Sequence, residues 1–246
     1  MNITVIGAAG RLGQRVVEEA SRRGHQVTGL ARRPHRMTQP ELLSRIATGD
    51  GRDRDVVSDA VAGADTVVIT IAGGTGKDPH QAADVTRTVT AAMRDHGVRH
   101  LVITSVYPIV GTRPRAAMWV LRKLLATPYA DIAQAEQIAT GSGLDWTIAR
   151  LNRLTNQPPT GPPHASTGLL DRPTGLSRAD AATLLVDLAE TRDHARQALN
   201  VRGHDKPDRL APSTSARSPT QQPRRRPGSR AATGASRTCS SWSAMA

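Results

Sequence analysis

The 246-residue chain has one cysteine, no phenylalanine and only five aromatic residues. A single thiol, Cys239, excludes an internal disulfide and a cysteine-based zinc cage. So few rings argue against modules that stack bases on aromatic platforms. No stretch approaches 18 apolar residues, so no membrane-spanning helix is expected. The opening residues MNITVIGAAG have no basic start ahead of their apolar run, so no secretory leader is expected and the default compartment is the cytoplasm. Lysine is also scarce, at positions 77, 123 and 206 only.

The formal charge is nevertheless +12, from 33 basic and 21 acidic residues. Half of it comes from residues 211–246, which hold six arginines and no acid. That segment also has eight Ser and four Pro with almost no aliphatic residues, so it cannot bury enough surface to offset its ordering entropy. We expect a nucleotide-binding domain over 1–203 and a disordered Arg/Ser/Pro-rich tail over 204–246. The arginine excess alone does not indicate a nucleic-acid partner. The eight histidines are scattered, and no metal site is expected.

Within the domain, short β-branched runs alternate with helical spacing. The runs are Asn2–Ile6, Gln26–Leu30, Arg45–Thr48, Thr66–Ile71, His100–Thr104 and Leu144–Ala149, with Ala198–Val201 as a last edge strand. Between them, Leu12/Val16/Ala20, Val57/Ala60/Val61, Val85/Val89/Met93 and Ile132/Ala135/Ile138 fall on single helix faces, three of these stripes running up to a glycine stop at Gly63, Gly97 or Gly141. Ser177 and Asp180 read as a capping box for a final helix. Alternating strands and helices imply βαβ units, hence an α/β fold with a doubly wound parallel sheet, a Rossmann fold. Residues 150–175, rich in Pro, Gly and Asn, read as a small irregular lobe.

The most informative stretch is Gly7-Ala-Ala-Gly10-Arg11-Leu12-Gly13 at the first strand-to-helix junction. Gly7 permits the tight turn, Gly10 lets backbone approach a diphosphate, and Gly13 lets the helix pack on the strand. A helix starting near Arg11 and Leu12 points free N–H groups and its positive end at the phosphates. At the end of the second strand an NAD site usually offers an acid. This chain offers Ala31-Arg32-Arg33-Pro34-His35-Arg36, and a guanidinium matches a 2′-phosphate in bidentate fashion, which predicts NADP(H). Asp50 and Gly51 close the third strand, beside the expected adenine. Ala72 and Gly73 follow the fourth strand, beside the expected ribose. Gly76-Lys77 is no P-loop, because Ile71 and Asp78 break the pattern.

These motifs, with Thr104-Ser105, Ser142-Gly-Leu-Asp-Trp-Thr-Ile-Ala-Arg150 and Ser177-Arg-Ala-Asp180, resemble the atypical short-chain dehydrogenase/reductases, in particular their NAD(P)H-binding NmrA-like group, over residues 1 to about 203. The resemblance implies NADP(H) along the C-terminal strand edge, with Arg32 and Arg36 near the 2′-phosphate and Thr104 and Ser105 near the nicotinamide. The Tyr-x-x-x-Lys pair of ordinary members is missing: Gly111 lies four residues after Tyr107, and Ala133 four after Tyr129. Ser105 is the catalytic candidate, to orient substrate or nicotinamide. Where a bilin-reducing relative has a histidine this chain has Arg153, which cannot donate a proton near neutral pH. Tyr107, Trp119 and Tyr129 either pack the lobe or stack on a planar acceptor. The expected activity is NADPH-dependent hydride delivery to a small planar, quinone- or flavin-like acceptor. The alternative is an NADP(H)-sensing regulatory protein without turnover. A small-molecule partner is expected, with neither membrane nor nucleic acid, and a homo-oligomer is left open.

Overall fold

The computed structural model describes residues 1–110, 125–171 and 173–204. Nearly all of the expected tail, Cys239, Lys123 and Trp119 lie outside the described residues. Among the described residues an eight-stranded sheet has the order β3-β2-β1-β4-β5-β6-β10-β8. The strands are β1 (Asn2–Ile6), β2 (Gln26–Ala31), β3 (Arg45–Thr48), β4 (Thr66–Ile69), β5 (His100–Val106), β6 (Asp145–Leu151), β8 (His164–Ser166) and β10 (Gln197–Arg202). A second, two-stranded sheet pairs β7 (Leu154–Thr155) with β9 (Leu176–Ser177). The helices are α1 (Gly13–Arg22), α2 (Arg54–Val61), α3 (Gln81–Asp95), α4 (Ala126–Thr140) and α5 (Arg178–Glu190).

Strand alternation divides the core in two. Val5, Val27, Val102 and Ala149 face α1 and α5, where Val16, Val17, Leu185 and Val186 bury against them. Their neighbours Ile6, Val67, Leu101, Ile103 and Ile148 face α2, α3 and α4, meeting Val57, Val89, Met93, Ile132 and Ala139. The doubly wound reading of the sequence therefore holds. β1 lies between β2 and β4, with Ile6 paired to both Leu30 and Ile69, so the strand order reverses beside it. Crevices at such switch points, above the C-terminal strand ends, are where open α/β sheets bind ligands.

Two expectations need correction. The segment Ala198–Val201 is not an edge. β10 is an interior strand with Leu199 and Val201 buried, because β8 runs antiparallel on its far side, Val201 opposite Ala165. That three-residue strand sits in a Pro/Gly-rich stretch too short to carry a pattern. The fourth strand stops at Ile69, two residues early. Thr70 still donates its N–H to the Ile6 carbonyl at 3.0 Å, but Thr70 and Ile71 then peel away into the cleft described next.

Candidate functional site

At the switch point a cleft of about 260 Å³ opens over the ends of β1, β2, β3 and β4. Gly7 stands at its floor with φ +89°, a backbone conformation that side chains strain to adopt. Its N–H and that of Ala8 both donate to the Leu30 carbonyl, at 3.0 and 3.1 Å, which fastens the turn to β2. Gly13 begins α1, and a Cβ there would collide with the Gly7 carbonyl, so helix and turn approach only through glycine. Gly10 lines the cleft and donates back to the Gly7 carbonyl at 2.9 Å.

The side of the cleft after β2 is basic. Arg32, Arg33 and Arg36 all line it and are exposed. Their loop is clasped to the glycine turn by Gln14 on α1. The amide nitrogen of Gln14 donates to the carbonyls of Ala9 (3.1 Å) and Arg36 (3.3 Å), while its oxygen accepts from the N–H and hydroxyl of Thr38.

Asp50 is the acid that lines this cleft. Arg52 grips both its oxygens, at 3.1 and 2.9 Å, and reaches Asp78 with its other amino group. Those hydrogen bonds hold the Asp50 carboxyl below the usual carboxylate range. Arg32 adds a long contact of 3.9 Å to Asp50 and 3.4 Å to the Gln81 side chain. Asp50 is thus a saturated anion, and the net charge facing the cleft is positive.

Seven of the residues singled out from the sequence meet in this cleft: Gly7, Gly10, Arg32, Arg36, Asp50, Gly51 and Ala72. Gly13 and Leu12 lie behind it, Leu12 in the core. Gly73 stands back from the cleft, and a Cβ there would strike the Pro128 carbonyl of α4. The Thr104 hydroxyl donates to the Ile69 carbonyl at 3.1 Å, tying β5 to the end of β4. Arg11 lies outside the cleft lining and is exposed.

Ser105 differs most from its expected place. It is 3% exposed, and its hydroxyl donates to the Glu136 carboxylate of α4 at 2.5 Å. Arg150 of β6, paired beside Ser105 in register, clamps the same carboxylate at 2.9 and 2.6 Å. The hydroxyl therefore faces into a buried ionic knot instead of the cleft. Tyr107 is likewise turned inward, its hydroxyl exchanging hydrogen bonds with both the carbonyl and the N–H of Leu170 in the lobe.

Three contributors had escaped the sequence reading. Gln81 and Val85, on the first turns of α3, line the cleft; no motif marks Gln81, and Val85 had been read only as part of a core-facing stripe. Asp131 of α4, 2% exposed, accepts from the N–H groups of Gly74, Ala82 and Ala83 at 2.7, 2.8 and 2.9 Å. It caps α3 and fixes the loop after β4. Asp131 and Glu136 carried a signal after all, as acids beside the apolar stripe read as Ile132/Ala135/Ile138, in which the structure buries Ala139 and leaves Ile138 half-buried. Among the described residues no cluster of His, Cys, Asp or Glu is suited to a metal, and no helix is long and apolar enough to cross a membrane.

A family described as NAD(P)H-binding matches residues 7–192. The chain is similar to a (4-alkanoyl-5-oxo-2,5-dihydrofuran-3-yl)methyl phosphate reductase of Streptomyces griseus, 30% identical over 206 residues, covering 82% of this chain and 64% of that one. It also resembles an uncharacterised Mycobacterium tuberculosis protein, 31% identical over 150 residues, which span 61% of this chain but only 14% of that protein. Among solved structures, a Veillonella parvula short-chain dehydrogenase/reductase in complex with NADP superposes with a TM-score of 0.70 at 21% identity, over 84% of this chain and 98% of that one.

Proposed function

The chain belongs to the NAD(P)H-binding family, and from that premise we propose that it is a cytoplasmic NADPH-dependent reductase delivering hydride to a small planar, quinone- or flavin-like acceptor. The observation that carries the choice of cofactor is the trio Arg32, Arg33 and Arg36 on one wall of the cleft, with Asp50 already neutralised by Arg52. An acid free to accept from a ribose 2′-hydroxyl is what NAD would need there, whereas three guanidinium groups suit a 2′-phosphate. In this reading the backbone of Gly7, Gly10, Arg11, Leu12 and Gly13 cradles the diphosphate and Gly51 and Asp50 border the adenine. Ala72 borders the nicotinamide ribose, with Gly73 packed behind it, and Thr104 lies toward the nicotinamide. The nucleotide chemistry belongs to residues 1–203 and none of it to the 204–246 tail.

The nicotinamide supplies the hydride when bound; the protein's part is to position it and to exclude water. Ser105 acts as a positioning residue through Glu136, because its proton is committed to that carboxylate. The hydroxyl of Tyr107 is similarly engaged by Leu170. An acceptor that takes its proton from solvent fits these two facts better than an alcohol/ketone pair, which needs a placed proton donor. The same two facts favour a second reading, a sensor that binds NADP(H) without turnover.

Calorimetric titration with NADPH and NADH tests the cofactor: we expect NADPH to bind at least tenfold tighter, and equal or tighter NADH binding overturns the choice. NADPH oxidation across quinones and flavins then separates the readings. Sustained turnover with any acceptor supports the reductase, and tight binding with no turnover supports the sensor.

A further inference from the structure

Arg52 commits three donors to a single acid. Its backbone N–H and its Nε donate to Asp50 Oδ1 at 3.0 and 3.1 Å, and its Nη2 donates to Oδ2 at 2.9 Å. A carboxylate offers about four lone-pair positions. Arg52 fills two on Oδ1 and one on Oδ2, so the charge of Asp50 is met while one acceptor position on Oδ2 is left. Arg32 faces that oxygen from 3.9 Å, beyond hydrogen-bonding distance. Arg32 and Asp50 line the cleft and Arg52 does not. Arg52 therefore holds the carboxylate from behind, and the open position of Oδ2 is turned to the cleft.

The hold is rigid. The remaining amino group of Arg52 reaches both Asp78 oxygens at 3.1 Å. Asp78 belongs to the loop after β4, which Thr75 and Asp78 close by exchanging backbone hydrogen bonds at 2.9 and 3.0 Å. Arg52 is thus fastened at both ends and is kept from swinging toward a ligand's phosphates. The turn that carries it is fixed as well. Asp53 N–H donates to the Asp50 carbonyl at 3.0 Å, and a Cβ on Gly51 would come within 2.9 Å of Val85, a cleft residue. Ion pairs as exposed as these contribute little to stability, so stability does not account for the arrangement. A fixed acceptor on a ligand-facing wall serves selectivity, because a site built around one hydrogen bond rejects an analogue that lacks the donor.

We propose that Arg52 determines base selectivity at the adenine end of the cleft, by presenting one lone pair of Asp50 Oδ2 to an exocyclic amine. The base it favours is a 6-aminopurine. A 6-oxopurine sets its carbonyl oxygen against Oδ2, acceptor against acceptor. Arg52 is a positioning residue, since it touches Asp50 and not the base. The inference rests on the cofactor reading above, in which Asp50 borders the adenine, and adds what aims that acid.

The test uses the full chain and Arg52→Gln, and compares NADPH with the analogue that carries hypoxanthine in place of adenine. Calorimetry on wild type should give NADPH an advantage of about tenfold or more. In Arg52→Gln that advantage should fall to within about threefold, chiefly through weaker NADPH binding. The preference for NADPH over NADH should stay, and the ligand-free Tm should move little. A merely structural strap weakens both purine forms equally. The inference is overturned by that equal loss, by a wild type that does not distinguish the two bases, or by a variant that keeps the wild-type ratio. 2′,5′-ADP and its inosine counterpart separate this inference from the cofactor reading. If wild type binds no nicotinamide coenzyme, the cofactor reading fails, while an adenine preference between these two fragments that is lost in Arg52→Gln still supports the role of Arg52. No such preference overturns both.

Discussion

The Ser105 hydroxyl lies 2.5 Å from the Glu136 carboxylate, and Arg150 closes the same carboxylate from the other side. Three elements, β5, α4 and β6, are joined at that point. Glu136→Gln leaves Arg150 as a poorly compensated charge in a site where both side chains are largely buried. Breaking one partner of such a pair costs about 3 kcal/mol, which lowers Tm by roughly 6–12 °C in a domain of this size. Ser105→Ala removes one hydrogen bond and costs about 1 kcal/mol. Thermal melts of the two variants check both the loss and its order.

Cofactor choice is expected to follow the loop after β2. Arg32→Ala and Arg36→Ala each remove a charge-assisted contact to the 2′-phosphate, weakening NADPH by roughly 10- to 100-fold. NADH affinity should stay within about twofold of wild type. Parallel titrations with both coenzymes provide the readout, and an equal loss for both would remove the 2′-phosphate from the argument.

Asp131 is expected to hold the loop after β4 for the cofactor. In Asp131→Asn one carboxylate oxygen becomes an NH2 group facing backbone N–H donors of Gly74, Ala82 or Ala83. The unmet donors cost about 2 kcal/mol. The loop's loss of position should also weaken coenzyme binding severalfold, measurable by the same titrations beside a melt.

The sheet was legible because its first four strands are punctuated: a hydrophobic run, then a glycine or polar residue at Gly7, Arg32, Gly49 or Thr70. The glycine turn and the arginine loop were legible for a related reason, since both are local in sequence. What escaped was non-local. Gln81 and Val85 reach the cleft because α3 starts there, and Glu136 needs β6 to supply Arg150, fourteen residues on. Ser105 stood at the right strand end, but only the packing of α4 shows which way its hydroxyl faces. β8 escaped because three residues carry no period.

Acid is expected to destabilise the domain through His100, which is 1% exposed at the opposite end of β5. Thr66 donates its hydroxyl to the Ala189 carbonyl, so it accepts from His100 Nδ1–H, and Nε2 is the bare, unpartnered nitrogen. Burial, with help from Arg192 and against Asp145, pulls the His100 pKa below its ordinary value. The unfolded chain therefore binds this proton more readily than the folded one. Stability is fully present above the unfolded histidine pKa, about 6.5, and declines as pH falls below it toward the folded value. Melts from pH 8 to pH 5 should show that decline, and His100→Met should flatten part of it.

Gln14 joins the glycine turn to the loop carrying Arg36 and Thr38 with one side-chain amide. Coenzyme preference and diphosphate geometry are in consequence mechanically linked. Grafting an acid-ending loop whose backbone follows another path would break the clasp to the Arg36 carbonyl and the Thr38 N–H, slackening the cradle for either coenzyme. A specificity switch in this scaffold has to keep residue 14 and its three anchor points while only the guanidinium groups are exchanged.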